Sequence, residues 1–92
     1  MLYMLEMTVK IPPGQDEEMF DALKLAEKAY VQRLQREGKW KHIWRVTGRF
    51  ANVSILDVEN HDELHDIVTK MPLWAYLDIK VTPLSKHPTS IV

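Results

Sequence analysis

From Leu2 to Ile11 the chain alternates, with Tyr3, Leu5, Met7 and Val9 set against Met4, Glu6, Thr8 and Lys10. A period of two predicts a strand. Pro12-Pro13-Gly14 ends it, because proline cannot donate to a ladder and glycine turns freely. The period then changes. Leu23, Ala26, Tyr30 and Leu34 recur at helical spacing and predict a helix over 17–37. Asp16 is placed to cap its start, Glu17 and Glu18 suit its positive end, and Gly38 stops it. Two short apolar runs follow, 42–49 with Ile43, Trp44 and Val46, and 51–58 with Val53, Ile55 and Val58. The break between them is short, so they predict a hairpin. Asn60 and Glu63 stand three apart, as at a capped helix start, and Leu64, Ile67, Val68 and Met71 form the buried set of a helix that ends before Pro72. Leu77, Ile79 and Val81 alternate within a fourth strand expected over 74–83, and the tail from Leu84 to Val92 has no period.

The predicted order is β-α-β-β-α-β in a single domain over 1–92, the ferredoxin-like split βαβ pattern of the α+β class. Both helices then cover one face of a four-stranded antiparallel sheet. Apolar residues nevertheless occupy both strand parities, as in Met4 beside Leu5 and Ile43 beside Trp44. A sheet with one wet face alternates more cleanly. The expectation is that a partner subunit covers the second face, giving a dimeric α+β barrel.

Composition narrows the function. A chain of 92 residues, 46% hydrophobic and 27% charged, is globular, and its small core favours a homo-oligomer. Twelve basic and thirteen acidic residues are mixed along the chain for a net charge of −1, which offers no basic face to nucleic acid. The absence of cysteine excludes disulfides and thiolate metal sites. The opening Met1-Leu2-Tyr3-Met4-Leu5-Glu6 does not read as a signal peptide, and no apolar run reaches the ~18 residues of a membrane helix.

The first chemical anomaly is Glu27, four after Leu23 and three before Tyr30, on or beside the apolar stripe. A carboxylate turned toward a core is costly unless paired or used, and burial makes it a stronger base. It is either an edge residue paired with a cation or a catalytic base. Lys24 and Lys28 flank it, and Lys28, nearer the stripe, suits an anionic ligand. Arg45 alternates with Trp44, so one faces the helices and the other the partner; the guanidinium fork fits either a carboxylate ligand or an inter-subunit ion pair. Asn52 and Ser54 share one face of the third strand, as a polar pocket or as hydrogen bonds fixing the hairpin. His61 and His65 have two-histidine metal spacing but no third ligand and no HExxH motif, so no metal is expected. Scattered glycines make no phosphate loop, and Ser54 lacks a nucleophile elbow.

A set of segments then identifies a resemblance: Leu23-Lys24, Glu27-Lys28, Leu34-Gln35-Arg36-Glu37-Gly38, Trp40, Trp44-Arg45, Ala51-Asn52, Asp57-Val58, Glu63-Leu64-His65, Pro72-Leu73, Tyr76 and His87-Pro88. In this order, and with little room for gaps, the chain resembles the muconolactone isomerase family. The resemblance implies a bacterial, cytoplasmic, cofactor-free enzyme of the β-ketoadipate route for aromatic breakdown. It implies subunits paired through their sheets and assembled into a decamer. The substrate implied is a small anionic lactone, (+)-muconolactone, converted to 3-oxoadipate enol-lactone by a proton shift. Glu27 is then the catalytic base, Lys28 or Arg45 the holder of the substrate carboxylate, and Asn52, His65 or Tyr76 the donor to the developing oxyanion. Phe50 stands where relatives often carry tyrosine, and Trp74-Ala75 where they often carry Phe-Pro, so ring-substituent preference stays open. The alternatives are a dehalogenase or isomerase of chloro- or methyl-substituted lactones, and a non-catalytic ligand-binding dimer of the same fold.

Overall fold

The computed structural model describes residues Met1–Val92. Its elements run β1 (Leu2–Val9), α1 (Glu17–Arg36), β2 (Trp40–Arg45), β3 (Ala51–Asp57), α2 (His61–Thr69), a one-turn 3₁₀ helix (Trp74–Tyr76) and β4 (Leu77–Leu84). The sheet is antiparallel throughout, in the order β2-β3-β1-β4. This is the ferredoxin-like α+β arrangement expected from the alternation.

The caps form as the sequence predicts. Asp16 accepts from the Met19 N–H at 3.1 Å, and Asn60 from the Glu63 N–H at 2.8 Å. At the end of α1, Gly38 takes a φ of +80°, which lets its N–H reach the Gln35 carbonyl and the Lys39 N–H reach that of Leu34. That pair of bonds satisfies carbonyls the helix leaves open and turns the chain into β2.

Register sorts the side chains by face. Tyr3, Leu5 and Met7 pair with Leu56, Ser54 and Asn52, and all six point toward the helices. Tyr3, Leu5, Met7, Val31, Leu34, Trp40, Leu56, Val58, Leu64, Ile67, Val68 and Met71 form one buried cluster between sheet and helices. The other face carries Met4, Val53, Ile55 and Trp44 beside Glu6 and Lys80. There Trp44 is 55% exposed and stacks on His42 with ring centroids 5.0 Å apart.

Three expectations need correction. The second strand begins at Trp40 and ends at Arg45, not 42–49, because the chain already turns at Val46, where Arg49 N–H bonds the Val46 carbonyl and Gly48 adopts φ +78°. An irregularity between Trp40 and His42 breaks the alternation and turns Trp40 inward, leaving it 2% exposed. The fourth strand starts at Leu77, not Trp74, because the chain leaving α2 closes a 3₁₀ turn through Trp74 N–H to Met71 and Tyr76 N–H to Leu73. On α1, Ala26 is exposed; the inward stripe is Phe20, Leu23, Glu27, Tyr30, Val31 and Leu34.

Candidate active site

Glu27 lies seven residues after Phe20 and seven before Leu34, both buried, so two helical turns each way bring it onto the inward face of α1. It is half-buried there. Its Oε1 accepts one hydrogen bond, from the Leu73 N–H at 3.2 Å. Leu73 begins the 3₁₀ turn after α2, and α2 is tied to α1 by the Tyr30 hydroxyl donating to the Ile67 carbonyl at 2.6 Å. The carboxylate is thus held between both helices. Burial pushes its pKa above the usual glutamate value, and the Leu73 N–H offsets only part of that.

The carboxylate faces a cleft of about 480 Å³ between α1 and the β2–β3 half of the sheet. That volume falls in the roughly 300–1,000 Å³ range of small-molecule sites. Met7, Val31, Ile43, Phe50, Leu73 and Leu77 give it apolar walls, and Lys24, Lys28, Arg45 and Asn52 bring polar groups. Lys24 pairs with Asp21 at 3.2 Å. Neither Lys28 nor Arg45 joins any ion pair. The Arg45 guanidinium rests over the Phe50 ring, 5.3 Å from its centroid. Unpaired cations at the opening favour an anionic ligand, while one desolvated carboxylate within can take and return a proton.

Arg45, not Trp44, is the member of its pair that turns toward the helices, since it sits opposite Asn52 in the register. Asn52 and Ser54 do share the inward face, where the Ser54 hydroxyl donates to Asn52 Oδ1 at 2.8 Å. Four of the residues singled out from sequence, Glu27, Lys28, Arg45 and Asn52, therefore meet in one cleft.

His65 and Tyr76 are not among them. His65 lines a separate cavity of about 540 Å³ with Tyr3, His61, Trp74, Ile79 and Val81, at the β4 side of the sheet. The four-residue spacing of His61 and His65 puts both there; Tyr3 hydrogen-bonds His61, and no group of three metal-ligating side chains forms. Tyr76 is held by the 3₁₀ turn and packs edge-on against Phe20, with centroids 5.6 Å apart. Trp74 also lines the β4-side cavity, so within one subunit its substitution does not touch the Glu27 cleft.

Sequence reasoning missed the Leu73 N–H, which as a backbone group has no sequence signature. It also missed Trp40, whose inward turn depends on the irregularity in β2. Trp40 lines the cleft, and its indole N–H is the one buried side-chain polar atom without a partner.

A ferredoxin-like subunit with a single desolvated carboxylate in an apolar, cation-rimmed cleft has the parts that an acid–base enzyme for a small anion requires. Comparison with known proteins narrows that class. Residues 1–90 match the family model of muconolactone delta-isomerase, and the chain belongs to this family. It is 53% identical over 91 residues to muconolactone delta-isomerase 1 of Acinetobacter lwoffii, covering 99% of this chain and 95% of that one. It is 50% identical over 91 residues to the muconolactone delta-isomerase of Cupriavidus pinatubonensis, covering 99% of each. A crystal structure of muconolactone isomerase superposes with a TM-score of 0.95 at 47% identity, covering 100% of this chain and 96% of the other. A 5-chloro-2-hydroxyhydroquinone dehydrochlorinase from Burkholderia phenoliruptrix, 21% identical with a TM-score of 0.64 over 95% of this chain and 96% of its own, shares the fold alone.

Proposed function

We propose that this chain isomerises (+)-muconolactone to 3-oxoadipate enol-lactone, with Glu27 as the only proton-transfer group and no cofactor. The observation that carries the reading is the half-buried Glu27 carboxylate, raised in pKa and facing a cleft with two unpaired cations, in a chain of this family.

The substrate is a five-membered lactone bearing a carboxymethyl arm, hence a monoanion. Lys28 or Arg45 holds the arm; the Arg45 fork can make two parallel bonds, and its packing on Phe50 limits its freedom. Glu27 removes the ring proton at the carbon that bears the arm. The electron pair passes through the conjugated ring to the lactone carbonyl, giving a dienolate. Glu27 then returns the proton at the carbon next to the carbonyl, so the double bond moves and nothing is gained or lost. Asn52 is the donor in the cleft for the dienolate oxygen, a role worth about 3 kcal/mol in other enzymes. His65 and Tyr76, sited elsewhere in the subunit, drop behind Asn52 for this role.

The reading extends to a cytoplasmic homo-oligomer built on sheet-to-sheet pairs. Sheet-to-sheet pairing is supported by the outer face, where Met4, Val53, Ile55 and Trp44 form an apolar patch flanked by charges.

The test is the purified protein with (+)-muconolactone in the presence of chelator, following the ultraviolet absorbance of the conjugated lactone. Rapid loss of absorbance is expected. Turnover restricted to 5-chloromuconolactone with chloride release would replace the substrate while keeping the base. Silence on both would leave a ligand-binding protein and sink the enzyme reading.

A further inference from the structure

Ser54 is the one buried polar residue, with no accessible surface, and its hydroxyl has one partner, Asn52 Oδ1 at 2.8 Å. A carboxamide is ambiguous in itself: turned one way it offers an acceptor to the cleft, turned the other a donor. Ser54 removes the ambiguity. In this orientation the buried hydroxyl is satisfied, whereas a flipped Asn52 would turn Nδ2 toward it and oblige the O–H to find another acceptor. With Oδ1 committed to Ser54, the Nδ2 group keeps both protons, and neither is used within the protein. Asn52 lines the cleft opposite Glu27, so that free donor belongs to the ligand space. The two residues alternate along β3 on the inward face, where the pairs Met7–Asn52 and Leu5–Ser54 hold them in register.

We propose that Ser54 is a positioning residue that orients the Asn52 carboxamide as a hydrogen-bond donor toward the dienolate oxygen. This rests on the isomerase reading and on Asn52 as the donor. A serine serving only to fill the core would be replaceable by alanine without consequence for the reaction, since the substitution is small and removes no packed carbon.

The test joins kinetics to a readout independent of turnover. Ser54→Ala is expected to lower kcat roughly tenfold with KM little changed, a part of the 10²–10³ lost when a donor is removed outright. In an Asn52→Ala background the same substitution is expected to do nothing further, because the group it orients is gone. The Asn52 side-chain amide resonances, assigned by their loss in Asn52→Ala, are expected to shift in Ser54→Ala while the backbone spectrum stays largely unchanged. An unmoved amide, or an equal loss of kcat with and without Asn52, overturns the proposal. A parent enzyme inactive on muconolactone would overturn the functional reading and the catalytic role together. The amide spectrum would still report separately whether Ser54 sets the orientation.

Discussion

Glu27 is a carboxylate kept where it is least stable, which on the proposed reading has opposite consequences for catalysis and stability. Its raised pKa means the folded protein holds the proton more tightly than the unfolded chain does. Its contribution to stability is therefore full below the ordinary glutamate value and lost as pH rises through the raised one. At neutral pH the ionised group is a burden. Glu27→Gln keeps an oxygen for the Leu73 N–H and removes the charge, so it is expected to raise the melting temperature at pH 7, with a smaller gain at pH 4. The same variant is expected to lose at least about 10²-fold in turnover, the low end for a general base; near-normal turnover would discard Glu27 as the base. For the parent, kcat/KM is expected to rise with pH to a plateau, with its midpoint above the usual glutamate range. Arg45→Ala and Lys28→Ala are expected to raise KM far more than they lower kcat, since a grip on the carboxymethyl arm persists through the reaction. Steady-state kinetics at low and moderate salt would show this, and an effect confined to kcat would assign these residues differently.

At the scale of elements, the site depends on where helices begin and end. The Asn60 cap starts α2, and Glu63 reaches back to the Glu59 N–H at 3.0 Å while pairing with Lys39 at 3.2 Å. Those bonds hold the Glu63 carboxyl below its usual pKa. Its contribution is present at neutral pH and lost as pH falls through the lowered value, opposite in sign to that of Glu27. Asn60→Ala is expected to cost about 1 kcal/mol, or roughly 4–8 °C in a domain of this size. Gly38→Ala is expected to cost about 1–2 kcal/mol from its positive φ alone, because an added Cβ would meet only Lys41 Nζ at 3.8 Å. Thermal melts of both variants would check the two values; an unchanged Gly38→Ala melt would mean that the turn relaxes freely. The 3₁₀ turn after α2 is short, yet it carries the N–H that holds the Glu27 carboxylate.

At the scale of the whole molecule, the feature that matters is the outer sheet face. A subunit of this size that exposes Trp44 beside Val53 and Ile55 is expected to pair through that face. Trp44→Asp would place a charge on the patch, at its β2 edge, without touching the Glu27 cleft, to which Trp44 does not contribute. Sedimentation equilibrium is expected to show the parent as an oligomer and the variant as a smaller species. A variant that sediments like the parent would move the interface elsewhere.

Alternation, helical spacing and capping residues are local, and a local pattern suffices to specify local structure. For that reason the order of elements, both N-caps and the stop at Gly38 could be read from the chain, as could the placement of Glu27 on an apolar stripe. Where the pattern is interrupted, neighbours decide. The inward turn of Trp40, the late start of β4 and the exposure of Ala26 follow from packing between helices and sheet. The site divides in the same way. Residue types singled out Glu27, Lys28, Arg45 and Asn52, and the family resemblance added His65 and Tyr76 as donors, because a sequence carries chemistry but not distance. Only the sheet register, which sets Asn52 between Met7 and Arg45, and the crossing of α1 above it, bring the first four into one cleft and leave His65 at the β4 end of the same face. The bonds that tune them, from Leu73 to Glu27 and from Ser54 to Asn52, join groups whose meeting is a property of the folded chain alone.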